Sequence, residues 1–227
     1  MSASVHPGPS SSPVIKICGL TQPHDVALAE SLGAAYLGGI LAGGPRLLTD
    51  ERWTEVLGPA RPGVRRVGVF GEASPEELVA RARRMGCDIA QWHGDPTVEA
   101  VRSVATAGIV VWPVLRVEGT QLPRDAWDLA AEAPALVLDA KVVGQLGGTG
   151  VALDWAALAD DVAQWRRDRP ACSLVLAGGL HAENVERAIA LLRPHIVDVS
   201  SGVEAAPGRK DPARLRAFFH AVQGAIV

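Results

Sequence analysis

The sequence predicts an α/β protein, a single-domain (β/α)8 barrel of the TIM type, on three observations. Short apolar runs, as expected for strands covered on both faces, alternate with helical patterns, and eight strand-then-helix units fit between Val14 and the C-terminus. The length of 227 residues, with 48% of them hydrophobic, suits one such barrel with one large core. Reactive side chains and glycine turns fall at the carboxyl ends of the expected strands, the face on which barrels carry their sites. An open doubly wound sheet is the structural alternative, but it uses fewer strands and leaves the last units without a place.

Residues 1–13, rich in Ser and Pro and lacking a basic start or an apolar stretch, read as a disordered tail rather than a signal peptide or membrane span; the barrel is expected over 14–227. The first strand, Val14-Ile15-Lys16-Ile17-Cys18, ends at Gly19, and Thr21 or Gln22-Pro23 opens a helix over 25–32 that Gly33 closes. Cys18 thus stands at the carboxyl end of a strand. The bland alternative makes it a small buried hydrophobe and Lys16 an edge charge. A strand over 35–41 leads through the glycine-rich loop Ala42-Gly43-Gly44-Pro45-Arg46 to a helix over 50–57, capped by Thr49 or Asp50.

The alternation continues with a strand over 66–70 and a helix over 74–85 that opens on Ser74-Pro75-Glu76-Glu77, a capping-box pattern. A strand over 88–92 and a helix over 97–107 make the fourth unit; a strand over 109–115 and a weaker helix over 123–131 make the fifth. The sixth strand, 135–139, precedes a helix over 154–166 with Trp155, Leu158, Val162 and Trp165 on one face. Strands over 173–177 and 196–200 precede helices over 181–192 and 212–222.

A net charge of −3 and a pI near 6.1 argue against nucleic acid or an anionic membrane as partner and leave a small molecule. The three cysteines, Cys18, Cys87 and Cys172, are widely spaced, without the density of a disulfide scaffold or the close pairs of a zinc site, so a reducing cytoplasm is expected. Cys87 and Cys172 are expected at the amino-terminal face of the barrel, away from the chemistry. No Walker-type loop or dinucleotide fingerprint is present.

Three glycine turns follow the last three strands: Gly147-Gly148-Thr149-Gly150, Gly178-Gly179 and Ser200-Ser201-Gly202. Without a Cβ in the way their N–H groups can approach an anion, and a phosphate at the top of strands seven and eight is the functional reading; tight connections are the plain one. Asp139 closes its strand at the same rim as Cys18. A thiol and a carboxyl facing one substrate can take a proton from one atom and give one to another, as isomerising a sugar carbon requires, although an aspartate at a strand end can also be only a helix cap. Gln91 and His93 end the fourth strand and are candidate pocket residues, with a structural histidine as the alternative for His93. Arg46 suits a forked contact with a carboxylate; otherwise it is a solvated surface arginine.

Taken in their order, Lys16-Ile17-Cys18-Gly19-Leu20-Thr21, Val67-Gly68-Val69-Phe70, Gln91-Trp92-His93-Gly94-Asp95, Leu138-Asp139, Gly147-Gly148-Thr149-Gly150, Leu176-Ala177-Gly178-Gly179-Leu180 and Asp198-Val199-Ser200-Ser201-Gly202-Val203-Glu204 through Pro207-Gly208-Arg209-Lys210-Asp211 resemble the phosphoribosylanthranilate isomerases of tryptophan biosynthesis. The resemblance implies an Amadori rearrangement of a phosphorylated aminosugar without metal or organic cofactor. It implies Asp139 as general acid, Cys18 as general base, Arg46 facing the anthranilate carboxylate, and the three glycine turns around the phosphate. Two departures fall near Arg46: Gly39 stands where the family carries a large side chain, and the loop before Arg46 is about one residue shorter and lacks a serine. A related barrel acting on another phosphorylated aminosugar, and a non-catalytic phosphosugar-binding barrel, are the competing functions; a monomer and a homodimer are both compatible with the sequence.

Overall fold

A computed structural model gives the structure of the protein, described for residues 12–58, 61–140 and 153–225. Most of the expected tail and the whole Gly147-Gly148-Thr149-Gly150 turn lie outside these residues. Eight parallel strands among them close a barrel in sequence order: β1 (Val14–Ile17), β2 (Tyr36–Ile40), β3 (Arg65–Phe70), β4 (Ile89–Trp92), β5 (Val111–Val117), β6 (Ala135–Ala140), β7 (Ser173–Leu176) and β8 (Ile196–Val199), which pairs back with β1. Between and after them run α1 (Pro23–Leu32), α2 (Asp50–Leu57), α3 (Pro75–Met85), α4 (Val98–Thr106), α5 (Asp125–Glu132), α6 (Trp155–Asp168), α7 (Val185–Leu192) and α8 (Pro212–Gly224).

The two-residue period of each strand divides the apolar residues into two layers. Val67, Ile89, Trp112, Val114, Ala135, Val137, Val175, Ala177 and Ile196 fill the barrel interior, where the Tyr36 and Trp112 rings meet edge-on at 5.0 Å between centroids. Their neighbours Ile15, Ile17, Leu37, Ala90, Leu136, Leu138, Leu174, Leu176 and Val197 face the helices, and truncating one such leucine costs about 2 to 5 kcal/mol. Continuing the inward columns upward reaches Cys18, Gln91, His93, Asp139, Asp198 and Ser200. The strand period itself therefore aims these side chains at one end of the barrel axis.

The helix starts follow their chemistry. Ser74 accepts from Glu77 N while the Glu77 carboxylate accepts from Ser74 N, the capping box expected there, and Thr49 accepts from Arg52 N to open α2. Pro23 opens α1, but the Thr21 hydroxyl does not cap it; it donates to Gly208 O instead. The seventh helix begins four residues later than its periodicity predicts. Residues 181–184 form a turn in which Asn184 Oδ1 accepts from His181 N. The fifth strand is displaced two residues toward its C-terminus from the expected 109–115. One element is unforeseen: after β8 and a short 3-10 turn, Ser201–Val203, strands β9 (Glu204–Ala206) and β10 (Arg209–Lys210) form an antiparallel hairpin over the barrel's mouth.

Candidate active site

The carboxyl ends of the strands surround a cleft of about 740 Å3, measured out to its opening, whose walls include Cys18, Arg46, Gln91, His93, Asp139, Gly178, Gly179, Asp198, Ser200 and Ser201. Cys18 enters from the end of β1 and is 8% exposed; Asp139 enters from β6 and is 6% exposed. Asp139 is held on two sides: its Oδ1 accepts from Ala140 N at 2.8 Å, and Oδ2 stands 3.5 Å from His93 Nε2. His93 is therefore a wall of the cleft facing Asp139. Gly178 leaves the space Asp139 occupies, since a Cβ there would fall 2.6 Å from Oδ1 at a backbone φ of +85°.

The two described glycine turns meet. Gly202 lies against the other turn so tightly that a Cβ would fall 1.9 Å from Leu180 O, and Asn184 Nδ2 donates to Gly179 O at 2.9 Å. Gly178, Gly179, Ser200 and Ser201 thereby face one side of the cleft, with Gly202 packed behind them. Gly148, Thr149 and Gly150, expected to complete this rim, lie outside the described residues.

Arg46 reaches the cleft but is not a solvated surface arginine. Its Nε donates to both Glu204 oxygens at 2.9 and 3.1 Å, and Nη2 donates to Oε2 at 2.7 Å. Glu204, 5% exposed, also accepts from Lys210 Nζ at 2.9 Å. The hairpin thus fixes Arg46 through its side-on fork, and the end-on edge at Nη1 stands outside that pair. Gly39 plays no part in the cleft: it faces the helix layer, where a Cβ would fall 2.8 Å from the Trp53 ring and 2.9 Å from Leu48 and Leu57. Trp53 fills the volume a larger side chain at position 39 would take, so this departure is a repacked outer layer.

Lys16, an edge charge on the bland alternative, is completely buried inside the barrel, with Nζ 2.8 Å from Asp198 Oδ2. Burial works against the ammonium, but Asp198 and Cys18 outweigh it and hold Lys16 protonated. The Cys18 thiol is pushed up by burial and drawn back chiefly by Lys16. Asp198, Glu204 and Lys210 were likewise legible only as parts of longer motifs. Four buried polar atoms at this end of the barrel, Gln91 Oε1, His93 Nδ1, Asp198 Oδ1 and Ser200 Oγ, have no partner among the described residues. Buried donors and acceptors are rarely left so, and the four residues that carry them all line the cleft. Cys87 and Cys172 precede β4 and β7 at the opposite end of the barrel, with their thiols pushed by burial up to about 12. Among the described residues, no group of His, Cys, Asp and Glu could hold a metal ion, and no helix is long and apolar enough to cross a membrane.

A family model described as N-(5′-phosphoribosyl)anthranilate isomerase matches residues 15–221. The N-(5′-phosphoribosyl)anthranilate isomerase of Acidithiobacillus ferrooxidans is 39% identical over 211 residues, which are 92% of this chain and 97% of that protein. A crystal structure of monomers generated from the dimeric isomerase of Thermotoga maritima is 32% identical, with a TM-score of 0.77, and covers 93% of this chain and 99% of its own. A crystal structure of phosphoribosyl anthranilate isomerase in complex with reduced 1-(o-carboxyphenylamino)-1-deoxyribulose 5-phosphate has 31% identity, a TM-score of 0.77 and coverage of 93% and 99%. With a closed eight-stranded barrel and a matching family model over nearly its whole length, the chain belongs to the N-(5′-phosphoribosyl)anthranilate isomerase family.

Proposed function

We propose that this chain converts N-(5-phosphoribosyl)anthranilate to 1-(2-carboxyphenylamino)-1-deoxyribulose 5-phosphate, the Amadori step of tryptophan biosynthesis, in the cytoplasm and as a monomer or homodimer. The observation that carries the reading is the entry of Cys18 and Asp139 into one cleft from β1 and β6, with the glycine turns after β7 and β8 beside them. Asp139, protonated, gives its proton to the ribose ring oxygen as the C1–O bond breaks, and the amine nitrogen's electron pair closes a C1=N iminium. The Cys18 thiolate then removes the C2 proton. The C–H pair becomes the C1=C2 bond and the C=N pair returns to nitrogen, giving an enolamine that tautomerises to the C2 ketone. No external reductant, oxidant, metal or cofactor is needed to balance these steps.

His93 orients Asp139 from the side opposite Gly178, and the backbone donors around Gly178, Gly179, Ser200 and Ser201 receive the phosphate. Arg46 offers the anthranilate carboxylate its end-on edge while Glu204 holds the rest of the guanidinium. Steady-state turnover of N-(5-phosphoribosyl)anthranilate tests the assignment. Cys18→Ala and Asp139→Asn should each stay folded and lose at least about a hundredfold in kcat, the low end for removing a general acid or base. Near-normal turnover by either variant would remove that residue from its role, and no turnover by the unaltered protein would favour a different aminosugar.

A further inference from the structure

Lys16 takes no part in the steps above, yet it is a fully buried lysine two residues below Cys18 on the same inward column of β1. The two groups converge: a Cβ on Gly38 of β2 would fall 3.0 Å from Cys18 Sγ and 3.1 Å from Lys16 Nζ. Burying an ammonium costs several kcal/mol even when it is paired, and an apolar residue of similar size would fill a barrel interior at less cost. A pair kept only for packing would also satisfy both carboxylate oxygens; here Asp198 Oδ2 meets Lys16 and the buried Oδ1 meets no described residue. Lys16 therefore calls for a reason beyond stability.

We propose that Lys16 is a positioning residue that eases the ionisation of Cys18, setting an ammonium beside the sulfur while Asp198 holds that ammonium in place. The inference rests on Cys18 being the base of the proposed reaction. The need is chemical: a thiol that titrates near 12, as Cys87 and Cys172 do, is ionised in only about one molecule in a hundred thousand at pH 7. Cys18 is buried too, at 8% exposed, and burial acts on its thiol in the same upward direction. The charged groups acting on its thiol are Lys16 on its own strand, Asp198 on β8, Lys210 on β10 and Arg46 after β2, while Asp139 on β6 and His93 after β4 act on Asp198. Lys16 is the strongest of those that favour the thiolate. Lys210 and Arg46 are both tied to Glu204.

The test titrates Cys18 directly, from the ultraviolet absorbance of the thiolate in the intact protein minus that of Cys18→Ala, and repeats it in Lys16→Met and in Lys16→Met/Asp198→Asn. In both variants the Cys18 titration should move toward alkaline pH by at least about tenfold in proton concentration. In Lys16→Met, kcat near neutral pH should fall by about tenfold or more, recover as pH rises, and leave KM within about twofold. A Lys16→Met protein whose Cys18 titrates where the parent's does would overturn the proposal. So would a double variant that restores the parent profile, because Lys16 would then serve only to neutralise Asp198. Should Lys16→Met fail to fold, the double variant, which buries no lone charge, carries the comparison. If it too fails, a parent Cys18 that titrates no lower than Cys87 and Cys172 refutes the proposal and one that titrates below them supports it. Loss of the base assignment has a different signature: Cys18→Ala would keep its turnover whatever the titration shows.

Discussion

Replacing Glu204 by alanine should destabilise the protein by about 3 to 5 kcal/mol, the cost of leaving a buried cation without its counter-charge. The magnitude follows from what the carboxylate holds. It accepts from Arg46 Nε and Nη2, from Lys210 Nζ and from Gly208 N, and it joins the hairpin to the loop after β2. Lys210 is 5% exposed, and among the described residues the other hydrogen bond of its side chain goes to Ser200 O at 3.2 Å, so the variant strands an ammonium in the protein. Urea unfolding of parent, Glu204→Ala and Glu204→Gln at neutral pH measures this, with the glutamine variant intermediate because it keeps an acceptor but no charge. The pH dependence has a defined sign. Burial alone would raise the Glu204 carboxyl, but Arg46 and Lys210 outweigh it and hold it below the usual range. Its contribution is therefore complete above the unfolded value of about 4.3 and is lost as pH falls through the lower folded value. The difference between parent and Glu204→Ala should shrink on acidification below about pH 4. A loss at neutral pH of under about 1 kcal/mol, the worth of an exposed ion pair, would refute the reasoning.

Two further outcomes follow from distances at the cleft. Gly178→Ala forces an L side chain to φ +85° and sets a Cβ against Asp139 Oδ1, so kcat should fall by up to about a hundredfold for a displacement near 1 Å, with about 1 to 2 kcal/mol of strain in unfolding; unchanged kcat would mean that Asp139 is not held by this contact. Arg46→Ala should weaken a product analogue bearing the carboxylate by about 1.5 to 3 kcal/mol and leave an analogue lacking it almost unaffected. Calorimetric titration of the two analogues separates the cases, and equal losses for both would assign Arg46 to the fold alone.

Repeating units of strand and helix made the barrel legible, because apolar runs between caps and glycines need no knowledge of distant partners. Cys18 and Asp139 were legible for the same reason: each ends an apolar run. Lys16 was not, because its partner Asp198 is 182 residues away and a lysine in a short apolar strand reads equally well as an edge charge. Strand parity carried the missing signal, since Lys16 shares the inward face of Cys18 while Ile17 between them faces the helix layer. The hairpin hid in a different way. Pro207-Gly208 marks a turn, but strands of three and two residues are too short to show alternation, and Glu204 looks like any surface glutamate until Arg46 and Lys210 are brought around it. Arg46 lines the cleft, but nothing around it in the sequence announces its pairing with Glu204. The late start of α7 is a case of side chains competing with backbone: Asn184 satisfies His181 N and Gly179 O locally, which suits a turn better than a helix.

The pairing of Lys16 with Asp198 also bears on how the chain finds its shape. In the native register Lys16 faces Asp198 across the seam where the first strand meets the last. A slip of one residue would set Lys16 opposite Val197 or Val199, whose side chains belong to the helix layer, and would turn one strand over, sending either Lys16 or Asp198 to the wrong face. A chain emerging from the ribosome has no eighth strand to offer Lys16 until nearly the whole sequence has been made. Until then Lys16 lacks the carboxylate it pairs with in the closed barrel. The last strand thus supplies both the partner of Lys16 and, in the turn that follows it, the residues that share the cleft rim with Cys18.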